Sequence, residues 1–169
     1  MPTPVTRASL ALDFTCISFL IVDDHAYSRR LTRSMLTGLG SREIYESGNG
    51  IEAFELARSV MPGMIITDLM MPIFSGLRFI EMVKEPQSPV HHIPVVVLSG
   101  YLTKPATLAV KGSGADEQLV KPVSPKALYQ HITRIMLRHQ RASQPLAIAP
   151  NHKRRADPQR KKTGDVAYI

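Results

Sequence analysis

The 169-residue chain is 44% hydrophobic, enough for one packed domain with extensions. No stretch approaches an uninterrupted membrane-spanning run, so no membrane insertion is expected, and the short apolar patch between Arg7 and Asp13 makes a poor secretory signal. Most of the net charge of +7 sits in residues 141–169, where seven Lys and Arg face two Asp, so the body of the chain is nearly neutral. Its one cysteine, Cys16, cannot form an internal disulfide; it is expected to be a small core residue in a reducing, cytoplasmic setting.

Along the chain the hydrophobic period alternates. ISFLIV (17–22) reads as a buried strand, and residues 28–40 as a helix with Leu31, Met35 and Leu39 on one side and Gly40 placed to stop it. EIYES (43–47) follows as a strand, GIEAFELARSV (50–60) as a helix, and MIITD (64–68) as a second apolar strand ending on an aspartate. GLRFIEMVKE (76–85) returns to helical spacing, and PVVVLSG (94–100) is the most continuous strand run. Residues 103–114 form a weaker helix, with Pro105 tolerable in its first turn, and EQLV (117–120) is a short strand. Residues 124–140 form an amphipathic helix capped by Ser124, with Pro125 at its first position.

Five strands alternating with five helices through short connections predict an α/β fold, a doubly wound parallel sheet covered on both faces. Residues 1–16 are read as an N-terminal extension, 17–140 as the folded domain, and 141–169 as a basic, mostly disordered tail. In such sheets ligands bind beyond the carboxyl ends of the strands. The residues that follow those ends are Asp23 and Asp24, Asp68, Ser99, and Lys121 with Pro122.

Three carboxylates, one hydroxyl and one ammonium on one rim form a specific inventory. Clustered carboxylates repel unless a cation neutralises them, and an all-oxygen set suits Mg²⁺ or Mn²⁺. One lysine cannot balance three acids, but it can pair with a phosphoryl group added to one of them, and a nearby hydroxyl can donate to the same group.

The segments IVDDH, IITDLMMPIFSGLRFIEMVK, VVVLSG and LVKPVSPKAL, in this order and spacing, closely resemble the receiver domain of two-component response regulators of the CheY-like type. The likeness spans roughly residues 17 to 138. It implies a flavodoxin-like sheet of order 2-1-3-4-5. It further implies that Asp68 is the phosphoacceptor, supplied by a sensor histidine kinase or a histidine phosphotransfer protein. Asp23, Asp24, Asp68 and the backbone carbonyl of Met70 would then bind Mg²⁺, and Lys121 and Ser99 would contact the phosphoryl group. Pro122 would follow a cis peptide that aims Lys121 into the site. Output would pass through the 103–140 face to a partner protein or a second copy, with no catalysis beyond gain and loss of the chain's own phosphoryl group.

Two departures from that pattern stand out. The aromatic that usually lies three residues before the lysine is Gln118 here, so Tyr101 or no residue takes its part in the switch. The two positions that tune dephosphorylation hold bulky residues, Met70 and Tyr101, which predicts a phosphoryl group lasting minutes or longer. The 29 residues after position 140 are too few for a winged-helix effector, so a single-domain regulator acting by protein contact is expected.

Blander readings compete at each position. Asp23 or Asp24 alone would serve as a helix cap, and Lys121-Pro122 alone as a turn. His25 reads as a solvated residue at a helix start, and His91-His92 as surface. The basic tail suggests nucleic-acid binding, but with Tyr168 as its one aromatic it offers little for base stacking, so nucleic acid is not the expected partner. An aspartyl-phosphate phosphatase would carry a second acid where Met70 stands.

Overall fold

The computed structural model describes residues 12–100 and 103–143. Five strands, β1 (Phe19–Val22), β2 (Ile44–Ser47), β3 (Met64–Asp68), β4 (Val95–Ser99) and β5 (Glu117–Val120), alternate with five helices. The helices are α1 (Ala26–Gly38), α2 (Gly50–Val60), α3 (Gly76–Lys84), α4 (Lys104–Gly112) and α5 (Pro125–Ser143). All neighbouring strands pair in parallel, in the order β2-β1-β3-β4-β5.

Alternating side chains sort the strands' apolar residues onto two faces. Phe19, Ile21, Ile66, Val96 and Leu98 meet Leu36 of α1 and Leu128, Ile132 and Ile135 of α5. Leu20, Val22, Ile65, Val95 and Val97 meet Ala53 and Ala57 of α2, then Phe79, Ile80 and Val83 of α3, and Val110 of α4. Every residue of β1, β3 and β4 is buried, which explains their unbroken apolar runs. Each fully buried Leu, Ile or Phe on these faces contributes roughly 1.5–3 kcal/mol.

The caps follow local chemistry. Asn49, Ser75 and Thr103 accept from the amides of Glu52, Arg78 and Ala106, and Ser124 accepts from Ala127 N ahead of Pro125. Past α1, Gly40 takes φ +105, the left-handed conformation that ends a helix at low cost. At the far end of the sheet, Asp116 ties three elements together. Its Oδ2 accepts from Lys84 Nζ at 3.0 Å and Val95 N at 2.9 Å, and its Oδ1 from His139 Nε2 at 2.8 Å.

One sequence expectation fails here. Cys16 is exposed rather than a core residue. It ends a single 3₁₀ turn, Phe14–Cys16, capped by Asp13, and that turn points Phe14 inward instead. Phe14 stacks on Phe19 and on Tyr129 of α5, with ring centroids 6.2 and 5.6 Å apart.

Candidate functional site

Strand register brings the carboxyl ends of β1, β3, β4 and β5 to one rim. Val22 lies beside Thr67, Asp68 beside Leu98, and Ser99 beside Val120. The residues that follow β1 and β5 share this rim with β3 and β4 between them, and the Lys121 side chain spans the gap, so that its Nζ donates to Asp23 Oδ2, 98 positions away in sequence, at 2.9 Å. The same ammonium donates to Asp68 Oδ1 at 2.8 Å and to Ser28 Oγ at 3.1 Å.

Asp23 and Asp68 are each held by several donors. Asp23 Oδ1 accepts from His25 N at 2.9 Å, its Oδ2 from Ser28 Oγ at 2.5 Å, and its carbonyl from Arg29 Nη1 at 2.7 Å. Asp68 Oδ2 accepts from Met70 N at 2.9 Å, and its carbonyl from Thr67 Oγ1 at 3.0 Å. The chain turns so tightly after β3 that a Cβ at Gly76 would lie 1.9 Å from Asp68 O, so only glycine fits there. Asp23 and Asp68 are buried, with 4% and 7% exposure, whereas Asp24 is partly open to solvent. Burial alone would raise the Asp23 carboxyl, but hydrogen bonds from Ser28, Lys121 and His25 N outweigh it and hold the group below its ordinary value. Burial likewise would lower Lys121, yet Asp68 and Asp23 hold its ammonium above the ordinary 10.5. The Lys121–Pro122 peptide is cis.

Among the described residues the rim carries three carboxylates against one ammonium, and Asp23, Asp24 and His25 offer ligand atoms within 4.8 Å of one another. An oxygen-rich, net-negative set of this kind fits Mg²⁺ in ligand type, with room for waters on the exposed Asp24 side. Beside Lys121 opens an apolar groove of about 410 Å³, lined by Tyr27, Leu31, Met35, Leu98 and Val123 among others.

Residues 19–133 match the family model described as the response regulator receiver domain. The chain belongs to that family. A receiver of this kind works in phosphorelay signalling, and receiver domains generally bind Mg²⁺ at an acidic pocket. Among its relatives is the polar-differentiation response regulator DivK of Brucella anthropi, 30% identical over 107 residues, covering 63% of this chain and 85% of that one. Among solved structures it resembles the Vibrio cholerae chemotaxis protein CheY4, with a TM-score of 0.65 at 28% identity, covering 70% of this chain and 98% of that one. It also resembles the signal receiver domain of a signal transduction histidine kinase from Syntrophus aciditrophicus, with a TM-score of 0.66 at 26% identity, covering 78% and 98%.

Within this receiver domain, Asp23, Asp24, Asp68 and Lys121 gather as one cluster. Ser99 is fully buried at the end of β4, and its carbonyl accepts from Lys121 N at 2.8 Å. Met70 is 62% exposed at the lip of the site. Gln118 lies on β5 with both side-chain polar atoms buried and without a hydrogen-bond partner. Tyr101 lies outside the described residues. His25 is exposed at the N-cap of α1, with Nδ1 3.0 Å from Asp24 Oδ1, and His91 and His92 are on the surface.

Sequence reasoning missed Ser28 and Arg29. Both were legible in principle, because they fall in the first turn of the helix that starts just past Asp24 and so face back toward the strand end. Arg29 also reaches Glu46 of β2, with Nε 3.5 Å from Oε2, which ties the rim to the sheet edge.

Proposed function

We propose that this chain is a response regulator whose Asp68 accepts a phosphoryl group from the phosphohistidine of a sensor kinase or histidine phosphotransfer protein in the cytoplasm. The observation that supports this most is the meeting of two buried carboxylates, Asp23 and Asp68, on one ammonium, Lys121, at the sheet's carboxyl rim. An Asp68 oxygen attacks the phosphorus, the P–N bond to the donor imidazole breaks, and that nitrogen takes up a proton. Lys121 is already within hydrogen-bond distance of Asp68 and follows the negative charge onto the new phosphoryl oxygens. Ser99, on the adjacent strand end, supplies a hydroxyl to the same group. Asp23, Asp24, Asp68 and the Met70 backbone carbonyl hold Mg²⁺, which neutralises phosphoryl charge when bound. The apolar groove beside Lys121 gives the donor's surface a place to rest.

Loss of the group runs through attack of water on phosphorus, which releases inorganic phosphate and restores the Asp68 carboxylate. Met70 is a bulky side chain at the lip of the site and Tyr101 holds the second tuning position in the sequence, so the phosphorylated form lasts minutes or longer without a phosphatase. Output passes through residues 103–140, where Leu108 and Val120 are exposed apolar side chains for a partner or a second copy. With Gln118 in the usual aromatic position, the switch there works without an aromatic side chain from β5.

Acetyl phosphate with Mg²⁺ tests the reading. Intact-mass measurement is expected to show one added phosphoryl group, absent in EDTA. Labelling that is indifferent to EDTA, or no labelling at all, would overturn it.

A further inference from the structure

We propose that Ser28 is a positioning residue of this site: its hydroxyl fastens Lys121 to the two buried carboxylates and so weakens the hold on a divalent cation. The inference rests on the metal-site reading above. It begins with two hydrogen bonds whose directions chemistry fixes. An ionised carboxylate only accepts, so the Ser28 proton points to Asp23 Oδ2, 2.5 Å away. An ammonium only donates, so the 3.1 Å contact between Lys121 Nζ and Ser28 Oγ uses a serine lone pair.

Lys121 thus has three donors and three acceptors, namely Asp23 Oδ2, Asp68 Oδ1 and Ser28 Oγ. Serine, lysine and Asp23 close a three-membered ring of hydrogen bonds on a partly buried rim. Ser28 does not cap α1, since His25 holds that position and makes no side-chain cap bond. The Ser28 hydroxyl is given over to the site. In the metal-free state Lys121 is the resident cation, and an incoming Mg²⁺ competes with it for the oxygens of Asp23 and Asp68. Every contact that steadies the lysine therefore counts against the metal, and among the described residues Ser28 supplies the one contact that the carboxylates do not. Removing the hydroxyl leaves Lys121 with two acceptors and Asp23 Oδ2 with one donor fewer. Water replaces part of that loss, so the expected gain in Mg²⁺ affinity is about three- to tenfold rather than the full worth of a charged hydrogen bond.

The experiment is a calorimetric Mg²⁺ titration without phosphodonor, on wild type, Ser28→Ala, Ser28→Thr, Lys121→Gln and the Ser28→Ala/Lys121→Gln double variant. Ser28→Ala is expected to lower the Kd by about three- to tenfold. Ser28→Thr, which keeps the hydroxyl, is expected to stay within about twofold of wild type. In the Lys121→Gln background Ser28→Ala is expected to change nothing, because the contact it steadies is gone. Circular dichroism of each metal-free variant checks that it folds. An unchanged or weaker Kd in Ser28→Ala, beside normal binding by wild type, overturns this inference alone. Equal tightening in the Lys121→Gln background also overturns it, because the serine would then act on Asp23 directly. Absence of Mg²⁺ binding by wild type overturns the metal-site reading together with this inference.

Discussion

Replacing Lys121 by methionine removes the single ammonium that Asp23 and Asp68 share while keeping most of the side chain's volume. At about 3 Å and an effective dielectric near 20, each carboxylate–ammonium pair is worth roughly 5 kcal/mol before desolvation. Desolvation of the partners offsets much of that, and the Lys121 side chain keeps 30% exposure, so solvent screens a further part. What remains after Lys121→Met is two buried, like-charged acids with no counterion, and a net loss of about 2–3 kcal/mol is expected in EDTA. Asp68→Asn removes one of those acids. The Lys121→Met step should then cost only about 1 kcal/mol, a coupling of roughly 1–2 kcal/mol between the positions. Urea unfolding at pH 7 followed by far-ultraviolet circular dichroism measures this, with unchanged m-values confirming a like-for-like comparison. Saturating Mg²⁺ should recover much of the loss, since a bound cation replaces the missing one. A cost below about 0.5 kcal/mol in EDTA, or additive single variants, would refute the view that Lys121 is the internal counterion.

Three further outcomes follow from the same geometry. Gly76→Ala would set a Cβ 1.9 Å from Asp68 O, so a loss of about 3 kcal/mol or more and a failure to take up acetyl phosphate are expected; urea unfolding and intact mass read both. Gln118→Leu removes a buried amide that has no partner, and a gain of about 1 kcal/mol is expected in thermal or urea unfolding. Stability should change at both ends of the pH scale. Asp23 and Asp116 have carboxyls held below the ordinary 3.8, so their contribution is complete above about pH 4 and is lost as pH falls through the lower folded values. Lys121, raised above 10.5, contributes fully below that pH and loses its contribution as pH climbs through its folded value. Urea midpoints in EDTA across pH 2–12, with Lys121→Met as the control for the alkaline limb, check the sign of each.

How far the sequence foretold the structure depends on the range of the interaction. β4 was legible because VVVLS is buried on both faces, and a strand in that place cannot alternate. The rim followed from a rule about strand ends, so Asp23, Asp68 and Lys121 could be placed together without any knowledge of pairing. Sheet order was different: periodicity does not encode which strands are neighbours, and 2-1-3-4-5 came from the likeness of four motifs to a family. Ser28 carried only a weak signal, its place in the first helical turn past Asp24. A lone serine in a helix reads as polar surface, and its contact with Lys121 joins residues 93 positions apart. Cys16 was misjudged because a three-residue turn rotates the chain, so that Phe14 takes the inward position next to β1. The unpartnered amide of Gln118 was likewise invisible, since the sequence shows the substitution but not the burial of both its polar atoms.

The central claim is that Asp68 carries the phosphoryl group, and borohydride trapping tests it most directly. An acyl phosphate on aspartate is reduced to homoserine, so peptide mapping after treatment with acetyl phosphate and Mg²⁺ marks the modified residue. The account predicts homoserine at position 68 and at neither Asp23 nor Asp24, with no trapped residue in Asp68→Asn. Trapping at Asp23 or Asp24 in the wild type, or undiminished phosphoryl incorporation in Asp68→Asn, would contradict it.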